Sequence, residues 1–191
     1  MLIKNGLIHD AVNREPYLAD ILTEDGRIAA IGAGLEAPEG CEVIDAAGRN
    51  VYPGFVDAHC HIGLDNYGLG PVGHDFNERT DTVAPQLRGI DSFNPFDLSL
   101  PKALDAGVTT VCTGPGSANV LGGTFIAVKT RGTCVDDMIV KDSVAMKCAF
   151  GENPKKNHQG KHISSRMTIA AKLRGALAKA RDLRRRKGAK S

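Results

Sequence analysis

Two histidines separated by one residue, in the segment His59-Cys60-His61, are the side chains of this sequence best suited to metal chemistry. The four residues before them, FVDA, are typical of a β-strand, and strand side chains alternate between two faces. His59 and His61 therefore share one face with Asp57, and Cys60 points to the other. Two imidazoles placed in this way can both bind a divalent cation. The spacing alone is common, however, and by itself more often marks two histidines that bind nothing.

The elements predicted around this pair alternate between strands and a helix. A long loop over residues 63–95 follows the histidines, a helix is predicted over 96–106 with Gly107 ending it, and a β-branched strand follows at 108–112. Strand, helix and strand at this spacing favour parallel βα units. Further strands are predicted at residues 124–130, 138–140 and 143–150, the first two pairing as a hairpin.

The first fifty residues are typical of short strands joined by tight turns. Asp25-Gly26 separates two apolar runs and predicts a type I′ hairpin between residues 19–24 and 27–32. A second hairpin is predicted between residues 42–45 and 49–52. Asn5-Gly6 predicts either a third turn or a bulge within one strand. Together these patterns predict a small antiparallel β layer that is too small to be stable alone.

Several of these segments match one known family. Residues 51–61, VYPGFVDAHCH, resemble the first-strand signature of the amidohydrolase superfamily, and residues 106–111, AGVTTV, resemble its second strand. The β-rich start of the chain is similar to the partial β-sandwich that precedes the barrel of those enzymes. Residues 114–119 and 149–155 resemble the imidazolonepropionase-related branch. The resemblance covers nearly the whole chain.

The resemblance implies an α/β fold in two domains. Residues 1–52 would form the N-terminal part of a composite β-sandwich. Residues 53–191 would form the first βα units of an incomplete (β/α)8 barrel, with barrel strands 1–3 and a C-terminal basic amphipathic helix. Members of the superfamily hydrolyse C–N bonds, often in cyclic amides. In them a metal lowers the pKa of a bound water and polarises the substrate carbonyl. The implied substrate is accordingly a small amide or cyclic amide.

Carried over position by position, the resemblance makes His59 and His61 the first metal-ligand pair. Family members also use a carboxylate bridge between metals, either a carbamylated lysine or a glutamate from the third or fourth strand. Glu152, just beyond the predicted third barrel strand, is the favoured candidate, and Lys147 is the weaker one because it lies further back. A solvated loop carboxylate is the alternative interpretation of Glu152. Zinc is the expected metal, although Mn, Fe and Co also accept imidazole ligands.

The sequence departs from the family pattern in its length. A complete barrel takes about 250 residues, whereas the 191-residue chain has only about 140 after Tyr52. The remaining histidine ligands and the Asp that shuttles protons are expected in the missing part, and His158 and His162 are predicted to be exposed. We therefore expect an N-terminal part that is inactive alone. The alternative is a non-catalytic remnant or partner-binding fragment that self-associates through its open barrel edge.

Composition and charge exclude several other classes. No stretch approaches the ~18 apolar residues of a membrane span, and five scattered cysteines argue for a reducing compartment, the cytoplasm. Residues 172–191 carry nine Lys or Arg and one Asp, whereas the other 171 residues carry 15 basic and 21 acidic residues. This basic segment forms one side of a helix predicted over 166–187 and capped by Ser164 or Ser165. With 5% aromatic residues available for base stacking, a solvated helix face is favoured over nucleic-acid binding.

Overall fold

The computed structural model describes residues 1–160 and 162–188. The chain divides into two compact units, Met1–Phe55 and Val56–Ser191. Each unit contains its own apolar core. The fold is a mixed α/β arrangement with two sheets.

The first unit is a five-stranded sheet. It contains β1 (Leu2–Ile8), β2 (Tyr17–Glu24), β3 (Arg27–Gly32), β4 (Val43–Asp45) and β5 (Asn50–Val51). The strand order is β3-β2-β1-β4, and β5 also pairs with β1. The hairpin predicted around Asp25-Gly26 is confirmed, because β2 and β3 pair antiparallel and both turn residues have positive φ, 49° and 71°. This is the backbone geometry of a type I′ turn.

The second predicted hairpin is wrong. Instead of pairing with each other, β4 and β5 both run parallel to β1, at its two ends. The chain between them makes one tight turn, in which the Arg49 N–H donates to the Ala46 carbonyl at 2.9 Å, and then continues along β1. The sheet is therefore mixed rather than antiparallel. Asn5-Gly6 is a bulge inside β1, with Asn5 at φ +60° and its N–H donating to Asp20 Oδ1 at 2.8 Å.

The second sheet holds the histidine segment. Its strands are β6 (Phe55–Cys60), β7 (Val108–Thr113), β8 (Leu121–Lys129) and β9 (Ile139–Cys148), in the order β6-β7-β8-β9. Its helices are α1 (Ser99–Asp105), α2 (Val135–Met138), α3 (Glu152–Asn157) and α4 (Arg166–Gly188). The carboxyl ends of β6 and β7 lie side by side, where the Thr113 hydroxyl donates to the Ile62 carbonyl at 2.7 Å. The two chain segments that leave these strands therefore start next to each other.

The strands after β7 depart from the predicted parallel units. β8 pairs antiparallel with β7, and β9 pairs antiparallel with β8. The predicted hairpin between residues 124–130 and 138–140 is confirmed by the pairing of Val128 with Ile139. Residues 143–148 are not a separate strand following a crossover, however, but the second half of β9. The short connection through α2 explains this result, because a parallel crossover needs about a dozen residues or more.

The long loop between β6 and α1 is ordered by a buried carboxylate. Asp97 is 2% exposed and accepts hydrogen bonds from the backbone N–H groups of Gly63, Tyr67 and Ser99 at 2.8, 3.2 and 2.9 Å. The loop also packs into the core through Leu64 and Phe93, which join a cluster with Leu100, Val111, Ile126, Val128 and Met138. Asp97 thus ties the chain just after His61 to the start of α1.

The C-terminal helix α4 confirms the predicted basic helix. Ser165 Oγ accepts the N–H of Thr168 at 3.3 Å, and Ile169 is buried against Val120 and Ile163. The prediction that His158 is exposed is wrong, because its side chain is fully buried, whereas His162 is exposed as predicted. His158 is the C-cap residue of α3, a helix that the sequence pattern did not indicate. None of the described helices is long and apolar enough to cross a membrane.

Candidate metal centre

The two histidines of the HxH segment meet at the carboxyl end of β6. His59 belongs to the strand and His61 follows it directly, and their ring centroids lie 5.4 Å apart in an edge-to-face arrangement. Asp57, which shares their predicted face, accepts the backbone N–H of His59 at 3.1 Å. The geometry therefore brings two imidazoles together at one point.

Hydrogen bonding fixes the protonation of the His61 ring. Its Nδ1 lies 2.8 Å from the carbonyl oxygen of Gly114. A carbonyl oxygen only accepts, so Nδ1 carries the proton, and in the neutral ring Nε2 keeps its lone pair. Burial lowers the pKa of His61, and the nearby Lys147 and His59 lower it further. This neutral ring, with Nδ1–H bound to a backbone carbonyl, is the usual state of a metal-ligating histidine.

A lysine from β9 completes the cluster. Lys147 Nζ lies 3.2 Å from His59 Nε2, although the two residues are 88 positions apart in the chain. Burial lowers the pKa of Lys147, which favours the neutral amine. The structure therefore joins His59, His61 and Lys147 in one group.

Glu152, the favoured bridging carboxylate of the sequence prediction, lies in a different environment. It is the first residue of α3, its side chain is 52% exposed, and it forms ion pairs with Lys155 at 3.0 Å and Arg166 at 3.5 Å. Lys155 lowers the pKa of this carboxylate. Across residues 1–160 and 162–188, no three His, Cys, Asp or Glu side chains form a group that could hold a metal. Glu152 thus is not brought to the histidine pair.

Lys147 was the weaker predicted bridging ligand because it lies further back in residues 143–150, which were predicted to form the third barrel strand. In the antiparallel hairpin, Ala145 stands opposite Phe125, and side-chain alternation then places Lys147 on the same face as both. The predicted hairpin did not include Lys147, and two register shifts between the Val128–Ile139 and Phe125–Ala145 pairs determine which face Lys147 occupies. The sequence pattern therefore held no signal for this placement.

A cavity of about 560 Å³ opens beside His61. Its lining combines apolar and polar groups from the loop after β6: Ile62, Asp65, Asn66, Tyr67, Gly68, Gly70, His74 and Ser99. Within it, His74 Nδ1 pairs with the carboxylate of Asp65. The ring of Phe76 stacks on His61 with centroids 5.1 Å apart. A small polar molecule bound here would lie next to the histidine pair.

His59, His61 and Lys147 can together bind a divalent metal only if Lys147 is carbamylated. His61 offers Nε2 and His59 directs Nε2 at Lys147, so both imidazoles can act as neutral nitrogen ligands. An ammonium group has no lone pair and cannot bind a cation. Carbamylation of Lys147 would replace that positive charge with a carboxylate at the same position.

Comparison with known proteins gives a consistent set of relatives. No protein-family model matches the chain. An amidohydrolase, tasK, of Hapsidospora irregularis is 31% identical over 89% of this chain and 19% of its own length. A dihydroorotase of Geobacter metallireducens is 30% identical over 72% of this chain and 32% of its own. A D-hydantoinase of Geobacillus stearothermophilus is 43% identical over 51% of this chain.

The crystal structure of an amidohydrolase from Thermotoga maritima matches the fold. It is 39% identical to this chain, superimposes with a TM-score of 0.92 and covers 98% of it. This chain in turn covers 49% of the Thermotoga protein. The chain therefore spans about half the length of that structure, and a third or less of the first two relatives above.

Proposed function

Because this chain belongs to the amidohydrolase superfamily, we propose that it supplies the first metal-binding half of an enzyme that hydrolyses C–N bonds in small cyclic amides. The contact between Lys147 Nζ and His59 Nε2, 3.2 Å long, is the observation that supports this proposal most directly. The relatives that the chain resembles include a dihydroorotase and a D-hydantoinase, whose names specify cyclic amides. Its five free cysteines favour a reducing compartment, and we propose the cytoplasm.

Three residues have distinct roles in this proposal. His59 and His61 would hold the metal through imidazole nitrogens, and Lys147 would hold it as a carbamate. The neutral Nζ of Lys147 attacks the carbon of CO2, an N–C bond forms, one C=O electron pair moves to oxygen and the amine releases a proton to water. The lowered pKa of Lys147 favours this reaction, since only the neutral amine is a nucleophile.

The metal, when bound, supplies an activated water and polarises the amide carbonyl. Other residues of this chain orient the His61 ring and the substrate. Gly114 fixes the His61 tautomer through its carbonyl, and Phe76 holds the ring from one face. The cavity beside His61 receives the substrate, and the hydroxyl of Ser99 in its lining can hydrogen-bond to a polar group of that substrate. None of these residues is proposed as the proton shuttle.

We expect the purified 191-residue chain to bind Zn²⁺ at this centre. Isothermal titration in bicarbonate buffer should give one site, and His61→Ala should weaken it by at least tenfold because a nitrogen ligand is lost. His162→Ala is the matched control, since that exposed histidine lies outside the group. Equal affinities for the wild-type and His61→Ala chains would contradict the proposal.

We expect no turnover of hydantoin or another cyclic amide by the isolated chain. It carries the three proposed donors, and its described part contains no group of three His, Cys, Asp or Glu side chains that could hold a metal. The measurement is hydrolysis of millimolar substrate in the presence of Zn²⁺ and bicarbonate. Hydrolysis that His59→Ala removes would show that this half is sufficient.

The alternative function is that of a partner-binding fragment. The strand β9 forms an edge of its sheet and exposes apolar side chains, among them Val140, Val144 and Met146. Such an edge is a template for association with another chain. A monodisperse monomer in light scattering would contradict this alternative.

A further inference from the structure

One buried aromatic ring touches all three residues of the metal centre. Phe125 on β8 is 4% exposed. Its ring centroid lies 5.5 Å from the ring of His59 and 6.3 Å from that of His61, and Lys147 Nζ is 5.7 Å from the same centroid. No role for this residue follows from metal ligation, because a phenyl ring has no donor atom.

The same ring is locked in place by Gly114. A Cβ built on this glycine would lie 2.6 Å from both Cγ and Cδ2 of Phe125, a distance that real Cβ atoms do not show. Only a glycine therefore lets the backbone lie flat against the ring. Because the carbonyl of Gly114 also accepts a hydrogen bond from His61 Nδ1–H, the phenyl ring, the Gly114 backbone and the imidazole form one packed unit.

We propose that Phe125 is a positioning residue that fixes the relative placement of His59, His61 and Lys147, an inference that rests on the proposed function. Metal sites require their ligands held to within about half an ångström, by neighbours whose own rotamers are locked. Phe125 meets this requirement because it is close-packed and reaches both strands that carry ligands, β6 and β9. It acts through the three side chains and does not touch the metal.

The test compares Zn²⁺ affinity with stability in two neighbouring variants. Phe125→Leu removes the ring and should weaken Zn²⁺ binding about tenfold, the usual effect of losing a partner that orients a ligand. Ile126→Val is the matched control, because Ile126 is fully buried on the opposite face of β8, in the apolar core. It should lower the melting temperature and leave the affinity unchanged. The visible spectrum of the Co²⁺-loaded chain should change in the first variant alone.

Two further variants cover the case in which Phe125→Leu fails to fold. Gly114→Ala keeps the ring but displaces it, and should weaken Zn²⁺ binding in the same way. Phe125→Tyr restores a six-membered ring and should restore the affinity. Unchanged affinity in both Phe125→Leu and Gly114→Ala, with wild-type binding intact, would overturn this inference alone. A wild-type chain that binds no Zn²⁺ would overturn the proposed function and this inference together.

Discussion

Replacing Lys147 by alanine is expected to abolish the bicarbonate dependence of Zn²⁺ binding and to weaken the binding itself by about 100-fold or more. Loss of an outer-shell partner already costs about 10- to 100-fold, and here a charged oxygen donor is lost. The direct measurement is ¹³C NMR of the chain in ¹³C-bicarbonate, where the wild type should show a carbamate resonance. Lys147→Ala should not show it.

Lys141→Ala is the matched control for this prediction. Lys141 is an exposed lysine on the same strand, β9, where it pairs with Ala127 rather than with a residue of the group. Its replacement should leave the carbamate resonance and the affinity unchanged. Lys147→Glu provides a carboxylate without CO2, so it should restore part of the affinity and make it independent of bicarbonate. Retention of the carbamate resonance in Lys147→Ala would refute the assignment.

The pH dependence follows from the same lysine. Carbamate forms from the neutral amine, and burial lowers the pKa of Lys147, so the neutral fraction at a given pH exceeds that of an exposed lysine. The carbamate resonance should therefore appear at a lower pH than the ordinary lysine pKa of about 10.4 would allow. Bicarbonate titrations repeated across this pH range would locate that midpoint.

The histidine pair and the local turns were within reach of sequence reasoning, because short-range rules determine them. Alternation along β6 brings His59 and His61 together, and Asp25-Gly26 demands the positive φ angles that the structure contains. Strand pairings between segments that are distant in the chain could not be predicted in this way. β4 and β5 align with β1 rather than with each other, and only the register of the whole sheet determines that choice.

The choice between Lys147 and Glu152 as the third ligand also depends on contacts between distant segments. The position of Glu152 after an apolar strand was a correct local observation, but its ion pairs with Lys155 and Arg166 depend on α3 and α4. Lys147 approaches His59 because β9 folds back on β8, a contact across 88 residues. Charge and spacing alone do not encode such a contact, and the register shifts between Val128 and Phe125, which set the face of Lys147, are not visible in the predicted hairpin.

Replacing Asp97 by alanine is expected to destabilise the second unit by about 3 kcal/mol or more. The buried carboxylate accepts three backbone N–H groups, those of Gly63, Tyr67 and Ser99. An unsatisfied buried donor costs about 1–3 kcal/mol, and water entering the site would recover part of that cost. The free energy of unfolding from urea denaturation measures the effect. Asp97→Asn keeps an acceptor oxygen and should lose less.

This carboxylate also connects stability to the metal centre. Gly63 lies two residues after His61 and adopts a φ of +84°, and a Cβ at this position would lie 2.5 Å from the Phe93 ring. Asp97 therefore restrains a close-packed segment next to a proposed ligand. Asp97→Ala should therefore weaken Zn²⁺ binding even at temperatures where the variant is folded. Asp91→Ala, which removes an exposed carboxylate from the same loop, should change the unfolding free energy by less than about 0.5 kcal/mol. Equal losses in the two variants would mean that the buried hydrogen bonds of Asp97 do not hold this loop in place.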